Sequence, residues 1–146
     1  MKASVLQRSR ITRYGGSFPS LSAFLLSPSL TPADVETADV RGSGTFTPSD
    51  GGFALNYREE ESGISVTVTK SGDTLTVTRA GGTLTFRIGA RTAFEYRTLY
   101  GSLPTEAYTE VISVQEKGST RLLTLIYTAV FGGMAQKNEM RFKITL

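Results

Sequence analysis

From residue 64 onward the chain alternates apolar and polar side chains one by one. Ile64-Ser-Val-Thr-Val-Thr69 places Ile64, Val66 and Val68 on one face, with serine and threonine on the other. Leu75-Thr-Val-Thr78 repeats the pattern, and Leu84-Thr-Phe-Arg-Ile88 repeats it again. A period of two is that of a half-buried β-strand. The spacers Ser71-Gly72 and Ala80-Gly81-Gly82 have the short, glycine-bearing form of hairpin turns. Longer strands follow at 105–116, 120–131 and 138–146, separated by Lys117-Gly118-Ser119 and by Gly132-Gly133. The last alternates Met140, Phe142, Ile144 and Leu146 against Arg141, Lys143 and Thr145. Leu122 to Phe131 is apolar on both faces, which predicts a strand covered on both sides for part of its length.

Upstream, 35–41, 44–48 and 52–60 read as shorter strands around Gly42, Gly44 and the Asp50-Gly51-Gly52 turn, and 3–13 as a first strand with weaker alternation. Residues 15–34 hold Pro19, Pro28 and Pro32 and read as loop with one helical turn at Leu21 to Leu26. This is the one segment long enough to serve as a lid or plug. About ten strands joined by tight turns must hide their edges, and closure does so. The expected fold is therefore all-β: one domain over residues 1–146, an antiparallel meander barrel of eight to ten strands, with a β-sandwich as runner-up. An outer-membrane barrel needs strands of about 9–11 residues throughout, and the middle strands are too short.

Composition narrows the chemistry. The chain contains no His and no Cys, which excludes His-based triads, thiol nucleophiles, zinc fingers, disulfides and haem or iron–sulfur ligation. No metal or cofactor is expected. Lys2, Arg8, Arg10 and Arg13 fall in residues 1–33 with no acidic residue, while 34–146 hold 12 basic and 13 acidic residues. The net charge of +3 thus resides at the N-terminus. It reads as the outer face of a first strand, which argues against nucleic-acid binding. The apolar patch Phe18 to Leu26 is cut by Pro19, Ser20 and Ser22 and lacks a cleavage site, so it does not read as a signal peptide. No apolar run approaches the ~18 residues of a membrane helix. A cytoplasmic protein without a membrane segment is expected.

From Phe53 onward the sequence resembles the YwiB-like family of bacterial proteins. The resemblance is carried by Phe-Ala-Leu-Asn-Tyr-Arg-Glu-Glu (53–60), Thr-Val-Thr-Arg-Ala-Gly (76–81) and Phe-Glu-Tyr-Arg-Thr-Leu-Tyr-Gly-Ser-Leu (94–103), in that order. Val35 to Gly44 aligns with a strand of that family ending in Gly, and Gly15 to Ala33 looks like an insertion. The resemblance implies a calycin-like, lipocalin-resembling barrel with no established activity.

Continuing the alternation locates the chemistry. Phe53, Leu55 and Tyr57 define an inward face whose next member is Glu59, and Leu75 and Val77 define one whose next member is Arg79. In a meander these strands run the same way, two apart, so both charges reach one mouth about 10 Å apart at the backbone. They are expected to pair, either for structure alone or as an anion clamp in which Arg79 presents its fork and Glu59 orients it. Tyr96, Thr98 and Tyr100 share a face, and Tyr57 joins them on the inward reading. These side chains either line a pocket or pack the core with their hydroxyls bonded. Glu59-Glu60-Glu61 reads as a solvated turn, because neighbours on a strand point to opposite faces. The pattern places no Asp/Glu pair on a shared lumen face, which argues against a hydrolase. The expected activity is non-enzymatic binding of a small, largely apolar ligand with a polar or anionic end; the alternative is a packed barrel serving as a structural or protein-interaction module.

Overall fold

A computed structural model describes residues 1–27, 31–80, 82–98 and 101–146, with the side chains of 96–98 left aside. Among the described residues the alternating segments form ten strands and one short helix. They run β1 (Lys2–Tyr14), α1 (Leu21–Leu25), β2 (Pro32–Ser49), β3 (Gly52–Glu59), β4 (Ser65–Ser71), β5 (Thr74–Arg79), β6 (Gly82–Arg87), β7 (Arg91–Thr98), β8 (Gly101–Lys117), β9 (Thr120–Phe131) and β10 (Met134–Thr145). All join one antiparallel sheet in the order β6-β5-β4-β3-β2-β1-β10-β9-β8-β7. The first and last strands pair along most of their length, Ser4 with Thr145 through Tyr14 with Ala135. The gap in this nearly closed barrel therefore lies between β6 and β7, which are consecutive in sequence, and not between the chain termini. At one end of the gap, Gly89 N–H donates to the Thr109 carbonyl (2.8 Å) and Thr109 N–H to the Ala90 carbonyl (3.3 Å). The Phe86 and Phe94 rings meet across it, centroids 5.9 Å apart. No helix among the described residues is long and apolar enough to cross a membrane.

Two expected strands, 35–41 and 44–48, are one. The glycines that suggested a break instead let β2 bend against β3. A Cβ on Gly42 would stand 2.6 Å from the Arg58 carbonyl oxygen, and one on Gly44 would run into the Asn56 carbonyl. Only Gly allows so close a backbone approach. The strand also starts at Pro32, inside the stretch expected to be loop.

The inward positions assemble the core. Phe46, Phe53, Leu55, Val68, Leu75, Leu123, Phe142 and Ile144 are buried together, and the Phe46 and Phe53 rings stack at 5.1 Å. Burying each such side chain contributes about 1.5–3 kcal/mol, and the packing fills the half of the barrel holding the β2–β3 and β4–β5 turns.

A second, smaller cluster lies outside the wall. Ser20 caps α1 by accepting from Ala23 N–H, and the helix buries Leu21 and Phe24 against Val130 and Ala135. Tyr14 and Phe18 pack their rings on Phe24 at 5.1 and 5.0 Å. Directly paired residues share a face; Tyr14, Ala135 and Val130 are paired in a row. That row alternates with the inward Leu125 and Tyr127, so it faces outward. The described part of the 15–34 stretch is thus a brace on the outer wall, not a plug in the lumen. It also covers Val130, an outward residue of β9.

Candidate ligand-binding site

The expected pair forms. β4 pairs with both β3 and β5, setting Val66 opposite Tyr57 on one side and Arg79 on the other. Glu59 lies two residues beyond Tyr57 and on the same face. Arg79 donates from Nε to Glu59 Oε2 (2.9 Å) and from Nη2 to Oε1 (2.8 Å), a fork-to-fork contact. Ser62, in the turn after β3, donates its hydroxyl to Glu59 Oε1 at 2.7 Å. The Glu59 side chain is 5% exposed and that of Arg79 49%. The hydrogen-bonded guanidinium holds the Glu59 carboxyl below its ordinary range against the opposing pull of burial, and the Ser62 hydroxyl helps. Glu60 and Glu61 are exposed, as a solvated turn requires.

Beside the pair the barrel is not filled. A cavity of about 340 Å³ has an apolar interior of Val66, Val77, Leu84, Phe86, Leu125, Tyr127, Met140 and Phe142. Its polar rim is Gln7, Glu59, Arg79 and Glu95, with Val40, Ala80 and Gly82 between them. The size lies at the small end of ligand sites, and the few polar groups on an apolar lining are the usual arrangement. On the far side of the pair lies an outer cleft that shares Val40, Glu59 and Arg79 and adds Asp39, Arg41, Glu60, Glu61 and Ser62. The Glu59–Arg79 pair is the partition between the two.

Tyr57 takes the packing role. It is 4% exposed, donates its hydroxyl to Gln7 Oε1 at 3.2 Å, and is absent from the cavity lining. Burial first, then the Glu59 charge, pushes its phenol upward, with Arg79 opposing. Tyr100 lies outside the described residues, as do the Tyr96 and Thr98 side chains, though both stand on β7. Among the described residues, the tyrosine that lines the cavity is Tyr127, in the run where apolar residues on both faces obscure which points inward. Gln7 was also missed, as a polar inward residue in the weakly alternating β1. Arg8, Arg10 and Arg13 pair with Asp39 (3.5 Å), Glu139 (4.0 Å), and Asp34 and Glu36 (3.1 and 2.8 Å) on the adjoining strands. No group of three or more Asp or Glu placed to hold a metal ion occurs among the described residues.

Residues 29–142 match a family model, a domain of unknown function termed DUF1934. The chain belongs to the DUF1934 family. The matched span begins after α1, so β1 and the brace precede it, although β1 is central to the sheet. The DUF1934 fold is also that of a solved structure, the YwiB protein from Bacillus subtilis. The two are 16% identical with a TM-score of 0.63, covering 97% of this chain and 92% of that one. At that identity the likeness establishes the fold alone. No curated protein matches the chain in sequence.

Proposed function

We propose that this DUF1934 domain is a cytoplasmic, non-enzymatic binding protein of calycin-like type, taking a small, largely apolar molecule with its polar end at the Glu59–Arg79 rim. The observation that carries this reading is the cavity of about 340 Å³ beside an ion pair, in a barrel otherwise packed. At about 30 Å³ per water-sized atom it accommodates a molecule of about eleven non-hydrogen atoms. A non-enzymatic role is supported by the state of Glu59, whose two oxygens accept from Arg79 and Ser62 and whose basicity is lowered.

Native mass spectrometry of the protein purified from its own source is the test. A retained molecule of matching size supports the reading, provided that it is lost in Val77→Phe, which projects a ring into the cavity. A molecule retained equally by that variant contradicts it. A protein-interaction role has one specific observation in its favour: Pro32 to Asp39 is exposed throughout, and β3 pairs with β2 only from Gly42 onward. Among the described residues, part of β2 therefore has one hydrogen-bonding edge without a strand beside it, the kind of edge to which an extended segment can add.

A further inference from the structure

The outer wall formed by β10, β1, β2 and β3 gathers most of the positive charge. Directly paired residues share a face, and those that alternate with inward Val5, Gln7, Phe142 and Ile144 point outward. Lys143, Leu6 and Arg41 form one row across β10, β1 and β2, and Arg141, Arg8 and Asp39 form the next. On the other side of the first row, Thr145, Ser4, Ser43 and Arg58 continue onto β3. With Lys2 and Arg10 at the two ends, seven exposed cations face outward against Asp39, Glu139 and Glu60, a net +4 on a chain whose total is +3. Arg8 and Arg10 take up Asp39 and Glu139 at 3.5 and 4.0 Å. Lys2, Arg41, Arg58, Arg141 and Lys143 form no salt bridge among the described residues. Arg8 also stands directly opposite Arg141, and like charges so placed destabilise a sheet. The wall thus keeps a charge arrangement that its own stability does not favour.

A shallow trough crosses the same wall, lined by Lys2 and by Ser4, Ser43, Thr45 and Thr145. The four hydroxyl side chains are exposed and have no hydrogen-bond partner among the described residues. Hydroxyls together with Arg and Lys are the groups that contact the phosphate oxygens of a nucleic acid. None of these outward positions is aromatic, so the wall offers no platform for an unstacked base. Leu6, the one large apolar side chain between the cations, is half-buried, so the wall lacks the apolar face that enters lipid. A duplex keeps its bases stacked and presents phosphate. We infer that this wall binds duplex nucleic acid by its backbone, without reading sequence, a ridge of phosphates lying in the trough between Lys2 on one side and Lys143 and Arg41 on the other. Counted along the chain, the positive charge belongs to the first strand; the sheet adds Arg41, Arg58, Arg141 and Lys143 from three others. The site is separate from the lumen cavity and does not rest on the ligand reading.

Fluorescence anisotropy of two labelled DNA duplexes of unrelated sequence, titrated with the protein between about 50 and 200 mM salt, tests this. Both should bind with equal affinity. With the five cations that form no salt bridge as phosphate contacts, log affinity should fall against log salt with a slope of about −4.5, at about 0.9 per contact. The double variant Arg141→Gln, Lys143→Gln should weaken binding to both duplexes and bring the slope to about −2.7. Arg87→Gln, which removes one exposed cation from β6 at the end of the sheet, should leave the slope unchanged. Absence of binding at the lowest salt, a marked preference for one sequence, a slope that the double variant does not move, or one that Arg87→Gln lowers as much overturns the inference. Tighter binding of a single strand of the same length, or of phosphatidylglycerol vesicles, overturns it as well and assigns the wall to an unstacked strand or to a membrane surface.

Discussion

Replacing Arg79 by methionine keeps the apolar stem of the side chain and removes the two hydrogen bonds that hold Glu59. The carboxylate then remains 5% exposed in the wall, with Ser62 at 2.7 Å as its remaining side-chain donor. Removing one partner of a fully buried pair costs about 3–5 kcal/mol. Arg79 is half exposed, so water screens the pair and can reach the orphaned oxygens; the expected loss at neutral pH is about 1–2 kcal/mol. In a chain of this size that is about 2–8 °C in Tm. The pH dependence carries the diagnosis. In the wild type the folded Glu59 value lies below the unfolded one, so the stabilisation is full above the ordinary carboxylate range and is lost as pH falls through the folded value. In the variant burial dominates, the folded value is raised, and the orphaned carboxylate is relieved by protonation. The deficit should therefore be largest near neutral pH and close towards about pH 3. Urea denaturation of the four members of the Glu59→Gln, Arg79→Met cycle would measure it. An Arg79→Met deficit equal at both pH values, and undiminished in the Glu59→Gln background, would refute the reasoning.

Other consequences are open to simpler tests. Leu75→Ala, at a fully buried position, should cost about 2–5 kcal/mol by chemical denaturation. Val77→Phe, which enters the cavity rather than packed core, should cost no more than an overpacked core, about 1–3 kcal/mol, and abolish binding of 4-phenylbutanol. Phe24→Ala should free α1 and expose residues 15–27 to limited proteolysis while leaving the affinity for 4-phenylbutanol unchanged, because the brace lies on the outer wall. Tyr57→Phe removes one neutral hydrogen bond, the 3.2 Å contact to Gln7, and should lower stability by about 0.5–1.5 kcal/mol. Because burial raises the Tyr57 phenol, its stabilising contribution is complete below the unfolded tyrosine value and is lost as pH rises beyond it, and Tyr57→Phe should lessen this alkaline loss. A tyrosine absorbance titration should find one fewer phenol ionising only with unfolding in Tyr57→Phe than in the wild type; an unchanged number would contradict this.

Where the sequence alternates strictly, it was legible down to individual side chains. Tyr57-x-Glu59 and Val77-x-Arg79 each carry an inward face one step past its last apolar member, and a meander then places both charges at one mouth. Legibility ended where two physical effects share one signal. Gly42 and Gly44 read as strand breaks because glycine also marks turns, whereas here it permits curvature. Tyr127 was hidden in Leu122 to Phe131, where both faces carry apolar residues, among them outward Val130, which α1 covers. Gln7 follows inward Val5 in a strand too poorly patterned to show its face. The pairing of Arg79 with Glu59 followed from alternation, whereas the bidentate form of the contact and the Ser62 hydroxyl that completes it are visible only in the geometry.

The central claim is that the space beside Glu59 and Arg79 is a ligand site. Methyl-resolved NMR of the intact protein, titrated with 4-phenylbutanol as a neutral probe, tests it most directly. The account predicts saturable shifts at Met140, Val66, Val77, Leu84 and Leu125, with Leu21 and the far-core Leu55 and Leu75 unmoved. Saturable shifts confined to Leu21 and Val130 on the outer wall, or none at the cavity methyls, would contradict it.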